Sequence, residues 1–439
     1  MASRADKPTV EELIEQLRSR GEDELDRAHA ALVARGEIAV DPLMLALKDG
    51  SYQVRMGAAR ALGTLGAAVA LEPLVETLAD PSVNVQRTGV EALAAMGPKA
   101  VPQLVEKLLD KDPKMRRRAA ETLGLIADES ALDALVGSLG DENAEVRKEA
   151  ARALGKIKAS GATARLIDML GDENVEICRY AAEALGEIAD AEAIPRLVGC
   201  LVSSSGDLRE TAVQALVKIG PESTLELITL LQHEEAHGRL HAADALGRLG
   251  DPRAFEPLTA SLADEHERVR HYAAEAVGKV GHADPPRAVR ALLPLLKEKH
   301  RDIRSVAINA LRDLGGPVAV GALAEMLDDT NAMVRLQAAQ ALLDLGDPAA
   351  VDPLVRGLRD SEWSVRSFCA EALGEIGDPR AVIPLILAAA DEKSSVRAKV
   401  AEAMGKLADA RALHALNIAA RDSDNDVREA AKVALERIG

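Results

Sequence analysis

Apolar positions along this chain fall into two alternating patterns from about residue 40 to the C-terminus. One is a short apolar run such as AVIPLILAA (381–389), and the other is a longer segment such as VRSFCAEALGEIG (365–377). With the Arg of the longer segment set at zero, apolar residues at +3, +4 and +7 lie on one face of a helix. A polar turn separates the two segments, and a Gly-Asp-Pro turn often follows. The pattern predicts pairs of amphipathic helices, here called helix A and helix B.

The Arg of the B segment recurs at a nearly constant spacing, which identifies an internal repeat. The steps are 30 or 31 residues, except for a step of 34 between Arg270 and Arg304. Eleven of the thirteen positions are Arg, the exceptions being Gln86 and Cys178. An acid-rich position lies six residues before the Arg, and eight repeats have Gly eight residues after it. Two short helices cannot bury their apolar faces alone, so neighbouring pairs must stack. The thirteen positions are 55, 86, 116, 147, 178, 209, 239, 270, 304, 335, 366, 397 and 428.

The segments ALGEIGDPRAVIPLI (372–386) and ALGRLGDPRAFEPL (245–258) resemble HEAT-like repeats of the PBS-lyase, or E-Z, type. The resemblance implies an all-α, right-handed α-solenoid of about 14 stacked helix pairs. We expect N-terminal capping helices in 1–40, with TVEELIEQLRSR and LDRAHAALVAR as the two helices, and a repeat array in 41–439. The three-residue excess near 281–289 predicts a longer turn or a bend.

The resemblance also gives the Asp and Arg columns a structural role, as ladders that join one repeat to the next. We further expect the Asp to cap the start of helix B. The residues assigned to this ladder include Asp141, Arg147, Asp264, Arg270, Asp360 and Arg366.

Residues 233–237 read HEEAH, which matches the H-E-x-x-H zinc-hydrolase motif. That motif needs both histidines within one continuous helix and a third ligand from elsewhere. His233 falls in the Asp column, so we expect it in the turn or at the first residue of helix B. The dipeptides His233-Glu234 and His266-Glu267 occupy different columns, unlike the di-iron site of deoxyhypusine hydroxylase, a HEAT-like enzyme. We therefore predict no metal, no cofactor and no enzyme activity.

Composition and charge narrow the remaining classes of function. The net charge is −17, which opposes nonspecific nucleic-acid binding and is compatible with a basic partner. No stretch approaches 18 apolar residues and the N-terminus lacks an apolar signal core, so we expect no membrane insertion and a cytoplasmic protein. Cys178, Cys200 and Cys369 form no close pair, which gives no indication of a disulfide framework.

The position two residues after the repeat Arg falls about 200° from it and is expected to face solvent. This column holds Tyr180, His241, Tyr272 and Phe368, and His271 adjoins Tyr272. The resemblance implies that helices B line the concave surface, where aromatic side chains would anchor a partner. The alternative is that these rings fill gaps between adjacent helices B.

Arg118, in the same column, belongs to a run of basic side chains in the N-terminal repeats. Acidic side chains interleave with them, which favours a solvated face of mixed charge over an acidic-peptide site. The basic run is not sustained over enough repeats to form a DNA groove.

These observations favour a non-enzymatic scaffold or adaptor that binds a protein partner through the surface of helices B. The resemblance also leaves a phycobilin-lyase-like role, with chromophore attachment or another form of bilin binding, as an alternative. The sequence names neither the partner nor the oligomeric state.

Overall fold

The computed structural model describes residues 8–19 and 21–439, and within them the regular structure is entirely helical. The predicted all-α fold, an α-solenoid of stacked helix pairs, is confirmed. Residues 1–7, which bear on the N-terminal signal, and residue 20, the last of the first predicted helix, lie outside the described residues. None of the helices in the described chain has the length and apolar content that a membrane span requires.

The chain divides into two compact units, Met1–Ser223 and Thr224–Gly439. Each unit stacks short helices A against longer helices B, which are joined by turns and 3-10 helices. The role of 1–40 as a cap stays a prediction. The first unit contains α1 (Val10–Gln16), α2 (Glu22–Val33), α3 (Val40–Ala46), α4 (Tyr52–Leu65), α5 (Leu71–Glu76), α6 (Val83–Met96), α7 (Val101–Lys107), α8 (Pro113–Ile126), α9 (Leu132–Ser138), α10 (Ala144–Ile157), α11 (Thr163–Met169), α12 (Val175–Ile188), α13 (Ile194–Cys200) and α14 (Gly206–Ile219).

The second unit contains seven further pairs in its described residues, again with each helix A preceding its helix B. They are α15 (Thr224–Leu230), α16 (Ala236–Leu249), α17 (Phe255–Ser261), α18 (Glu267–Val280), α19 (Pro285–Leu292), α20 (Arg301–Leu314), α21 (Pro317–Glu325), α22 (Ala332–Leu345), α23 (Val351–Gly357), α24 (Trp363–Ile376), α25 (Val382–Ala388), α26 (Ser394–Leu407), α27 (Leu413–Ala419) and α28 (Asn425–Ile438).

The start of helix B shows that the capping role expected of the Asp column is wrong. The N-cap lies two residues later: Asn143, for example, caps α10 by accepting a hydrogen bond from the N–H of Glu145. The column residue Asp141 instead accepts a hydrogen bond from the N–H of Asn143, at 2.8 Å. Its carboxylate thereby orders the turn before the cap, and both of its oxygens also accept hydrogen bonds from Arg116 of the preceding repeat.

At the end of most helices B the position eleven after the repeat Arg has a positive φ, although Gly281, which follows α18, has φ of −69°. Gly occupies this position in several repeats, as in Gly377 with φ of 75°. Four other repeats have a residue with a side chain there, each at φ between 50° and 58°. A side chain at such a φ is strained, because Cβ crowds the following carbonyl oxygen. The four residues are Ala127, Lys158, Ala189 and Ala408.

Adjacent helices B approach closely at the repeat glycine. A Cβ atom on Gly374 would lie 2.7 Å from Cα of Ala403 in the next helix B. Gly63, Gly124 and Gly247 face an alanine of the next repeat in the same way. The core between the helices is correspondingly thin and consists of small and aliphatic side chains, such as the fully buried Ala370 and Leu373.

The repeat arginines connect neighbouring repeats within each unit. Arg366 contacts Asp391 with Nε and Nη2, at 2.6 and 2.9 Å, and donates from Nη1 to the carbonyl oxygen of Asp360. Burial by itself raises the pKa of Asp391, but the hydrogen bonds from Arg366 and from the N–H of Lys393 outweigh it and the pKa lies below its usual value. Equivalent ion pairs join Arg55–Asp80, Arg116–Asp141, Arg147–Asp172, Arg239–Asp264, Arg304–Asp329, Arg335–Asp360 and Arg397–Asp422.

Candidate functional site

The repeat is interrupted where the sequence has its 34-residue step, between α18 and α20. The additional residues form a 3-10 turn, Gly281–Ala283, after which Asp284 caps α19 by accepting from the N–H of Arg287. The ion pair between repeats also differs here, since Arg270 pairs with Glu298, whose side chain is longer than that of Asp, at 3.1 Å. The step thus gives a longer turn, and a bend of the stack at this place stays a prediction.

A second departure from the repeat lies in the next helix B. Gly278 of α18 permits close approach to α20, because its Cβ would be 2.8 Å from Cβ of Ala310. In α20 the corresponding position is Arg312, whose guanidinium lies 3.0 Å from Asp313 and 3.7 Å from Asp344. Arginine does not allow the approach that glycine allows, and α20 packs less closely on α22 than on α18.

A cleft of about 660 Å³ lies along α20, and residues from both of these departures line it. We call it the α18–α20 cleft. One wall comes from α18, one end from the inserted turn and the floor from α20, with Gln337 of α22 at the far side. Its lining residues are His271, Glu275, Gly278, Lys279, His282, Asp302, Ser305, Val306, Asn309, Ala310, Arg312, Asp313 and Gln337.

A smaller pocket of about 310 Å³ adjoins the cleft at the first turns of α18 and α20 and shares His271 and Asp302 with it. The ring of Tyr272 lines this pocket and meets His271 edge to face, with centroids 5.5 Å apart. His300, which precedes α20, lies with Nδ1 3.0 Å from Oε2 of Glu267. A partner in the cleft would therefore meet polar groups and one aromatic ring at this end.

The charged groups of the cleft are mostly paired with one another. Lys279 lies 2.6 Å from Glu275, and Arg312 has the two carboxylates already described. Oε1 of Gln337 is buried, and the described residues offer it no hydrogen-bond partner. A buried acceptor without a partner carries a free-energy cost that a ligand with an N–H donor would remove.

The sequence-predicted site residues are only partly brought together. His271 and Tyr272 lie in the cleft region, whereas His241 in α16 and Phe368 in α24 line neither cavity. Tyr180, in the first unit, lies beneath the cations of Lys148 and Arg179, 4.8 and 4.3 Å from its ring centre. The ring of Tyr180 thus makes two cation–π contacts within its own unit.

The expectation that this column faces solvent is wrong. Tyr180, Tyr272 and Phe368 are half-buried, and other members of the column are buried outright, including Thr88 and Val306 at 7% exposure. The column packs toward the preceding repeat. Arg118, for instance, donates from Nη1 to the carbonyl oxygen of Leu78, 40 residues earlier, at 3.1 Å. Arg118 thus makes an inter-repeat contact.

The aromatic side chains that are exposed were missed by the sequence reasoning. Tyr52 and Trp363 are 43% and 46% exposed, and each is the first residue of a helix B. The polar residues of the cleft were also missed, among them Asp302, Asn309 and Gln337. The available signals were the 34-residue step itself and the Arg in place of Gly at 312.

The HEEAH segment lies where its register predicted. Helix α16 begins at Ala236, so His233 precedes the helix and accepts a hydrogen bond at Nδ1 from the N–H of Glu235, at 3.1 Å. His233 therefore substitutes for the column Asp in ordering the turn. In residues 8–19 and 21–439 no group of three or more His, Cys, Asp and Glu side chains has a metal-binding arrangement.

The cysteines are buried and, in the structure, free thiols. Burial raises the pKa of Cys200 to about 11 and that of Cys369 to about 12. Both thiols therefore stay protonated at neutral pH, where a thiolate would be needed for nucleophilic chemistry.

Comparison with protein families gives a consistent result along almost the whole chain. A family model described as HEAT repeats matches ten overlapping segments, the first at residues 10–94 and the last at 351–436. No curated protein matches the sequence.

Solved structures show the same architecture. Kap121p bound to Ste12p is similar with a TM-score of 0.67 and 14% identity, over 97% of this chain and 56% of Kap121p. The karyopherin Kap121p bound to the SUMO protease Ulp1p has a TM-score of 0.66 and 14% identity, over 98% and 56% of the two chains. This chain thus spans about half the length of those proteins, and at this identity the similarity concerns the fold alone.

Proposed function

The chain belongs to the HEAT repeat family, and from that premise we propose that it is a scaffold or adaptor that binds a protein partner along its helices B. The similar structures support this proposal, since Kap121p is described there in complex with Ste12p and with Ulp1p. The surface concerned consists of residues five and nine after the repeat Arg, such as Asn309 and Asp313, and we call it the B face.

The observation that carries the proposal is the α18–α20 cleft. A stack of identical repeats presents a regular surface, and contacts with a particular partner require departures from it. Here the inserted turn and Arg312 occur in consecutive repeats, and both contribute side chains to a cleft of about 660 Å³ on the B face. The cleft is therefore the principal contact in our proposal. Additional contacts by Tyr180, His241 and Phe368 are a weaker part of it, because these side chains are half-buried.

Photo-cross-linking tests this proposal in a native lysate. A photoreactive phenylalanine analogue would replace Asn309, which is exposed on the B face, and in a matched variant Thr229, which is exposed on helix A α15 of the same unit. We expect a defined protein adduct from position 309 and not from position 229. The proposal fails if position 309 gives no adduct, or if both positions give the same one.

The finer sequence predictions, namely the PBS-lyase type of the repeats and a cytoplasmic location, remain predictions. The bilin alternative has no supporting contact in the described residues, and we do not propose it.

A further inference from the structure

We propose that the α18–α20 cleft accepts an arginine-rich segment of the protein partner. This inference rests on the proposed function and concerns the same site, but it specifies the chemistry of the bound segment. Some polar groups of the cleft are already paired, and others are available to a ligand.

Four oxygen-bearing side chains form a stripe along α20. Asp302, Ser305, Asn309 and Asp313 are separated by three, four and four residues, which places them on one face of the helix. All four line the cleft. At a rise of about 1.5 Å per residue the stripe is about 16 Å long. A peptide segment of several residues can lie along it.

The cations of the cleft are engaged by carboxylates. The Lys279 ammonium is held by Glu275, and the Arg312 guanidinium lies between Asp313 and Asp344. An acidic ligand would have to compete with these carboxylates for the same two cations. The lining has three carboxylates and two such cations, so its balance is negative before any histidine is protonated.

Two hydrogen-bond acceptors of the cleft have weaker or fewer contacts than these cations. Asp302 is 81% exposed and its ion pair is a 3.5 Å contact with the adjacent Arg301, which is itself mostly exposed. Oε1 of Gln337, at the opposite side, is buried and without a hydrogen-bond partner among the described residues. Both residues line the cleft, and their oxygens are suited to a ligand that donates hydrogen bonds.

An arginine side chain fits this arrangement better than a lysine. Its planar guanidinium has five N–H donors and contacts a carboxylate and an amide oxygen at once. An ammonium is a compact charge with a large hydration cost. The overall charge of −17 also attracts basic segments and speeds their encounter with the protein.

The test uses fluorescein-labelled hexa-arginine, hexa-lysine and hexa-glutamate peptides and fluorescence anisotropy with the full chain. Asp302→Asn removes the carboxylate in the first turn of α20, and Asp207→Asn removes an equally placed acid from the first turn of α14. We expect hexa-arginine to bind the wild type more tightly than hexa-lysine. We expect Asp302→Asn to weaken hexa-arginine binding about tenfold and Asp207→Asn to leave it within about twofold, since a charge-assisted hydrogen bond is lost only in the first.

Equal losses in the two variants would indicate binding to overall charge, and tighter binding of hexa-glutamate would indicate an acidic ligand; either result overturns the inference. Circular dichroism of both variants excludes misfolding. Failure of the proposed scaffold function would give a different combination of results. If hexa-arginine depends on Asp302 but position 309 yields no protein adduct, the cleft binds arginine without the proposed partner. If the adduct forms and the affinity for hexa-arginine is unchanged by Asp302→Asn, only the inference of an arginine-rich ligand fails.

Discussion

At the scale of single residues, the guanidinium of Arg366 shows how one side chain joins two repeats through three hydrogen bonds. In Arg366 two nitrogens hold the Asp391 carboxylate of the next repeat and the third holds the backbone of its own turn. Both side chains of this pair are only 9% exposed. A buried pair has a large desolvation cost, so loss of one partner leaves the other charge uncompensated.

Arg366→Ala is therefore expected to lower the free energy of unfolding by about 2–3 kcal/mol. The comparison variant is Arg356→Ala, on the exposed side of α23, for which we expect a clearly smaller loss. Urea unfolding followed by circular dichroism measures both. Similar losses in the two variants would show that the ladder contributes no more than an exposed arginine.

The left-handed ends of helices B offer a second residue-scale prediction. Ala408→Gly relieves a side chain held at φ of 50° and should stabilise the protein by about 1 kcal/mol. Gly377→Ala makes the reverse change at the same repeat position, where φ is 75°, and should destabilise it by a similar amount. The urea midpoints of the two variants should move in opposite directions. Shifts of the same sign would contradict this interpretation.

At the scale of helices, the spacing between adjacent helices B depends on glycine. A Cβ on Gly374 would meet both Cα and Cβ of Ala403, at 2.7 and 2.8 Å, and the backbone atom cannot rotate away. Where Arg312 replaces this glycine, α20 packs less closely on α22 than on α18. The glycines of this column thus permit the close packing of adjacent helices B.

Gly374→Ala is expected to destabilise the protein by about 1–3 kcal/mol, because the helices must separate. Gly321→Ala, within α21, is the matched control: its Cβ would meet no atom within 4 Å, and we expect stabilisation of about 0.5–1 kcal/mol from helix propensity. The free energies of unfolding from urea titrations test the pair. Stabilisation of both variants would show that the close approach is unimportant.

At the scale of the whole molecule, the ladder links stability to pH. Hydrogen bonds from Arg397 lower the pKa of Asp422 to about 2, and the pKa values of Asp80, Asp141 and Asp329 are lowered as well. An aspartate in an unfolded chain has a pKa of about 3.9. Because the folded carboxylates bind protons less readily, their contribution is complete above about pH 4 and is lost as the pH falls toward 2.

We accordingly expect the free energy of unfolding to fall between about pH 4 and 2. Asp422→Asn should be less stable than the wild type at pH 7, and the difference should shrink as the pH approaches 2. Thermal unfolding at pH 7, 4, 3 and 2.5 measures this trend. A difference that stays constant with pH would contradict the assignment of the pKa to this pair.

The sequence alone was sufficient to predict the helix pairs, because the 31-residue period, the Arg column and the buried stripe all arise within a single repeat. The sequence alone did not predict correctly how far Tyr180 and Phe368 are exposed to solvent. A helical wheel describes one helix, whereas the burial of that column depends on the preceding repeat, as the contact of Arg118 with Leu78 shows. The cleft needed the structure for the same reason: the step of 34 and Arg312 are visible in the sequence, but the side chains that lie beside them across neighbouring repeats are not.

The most direct measurement of the central claim is the affinity of the cross-linked partner for a variant whose cleft is filled. Ser305→Trp places a large ring in the cleft, and Ser204→Trp adds the same ring to an exposed turn of the first unit. With both variants folded by circular dichroism, the account predicts that partner affinity falls at least about tenfold for Ser305→Trp and is retained for Ser204→Trp. Binding of the partner to Ser305→Trp with wild-type affinity would contradict it.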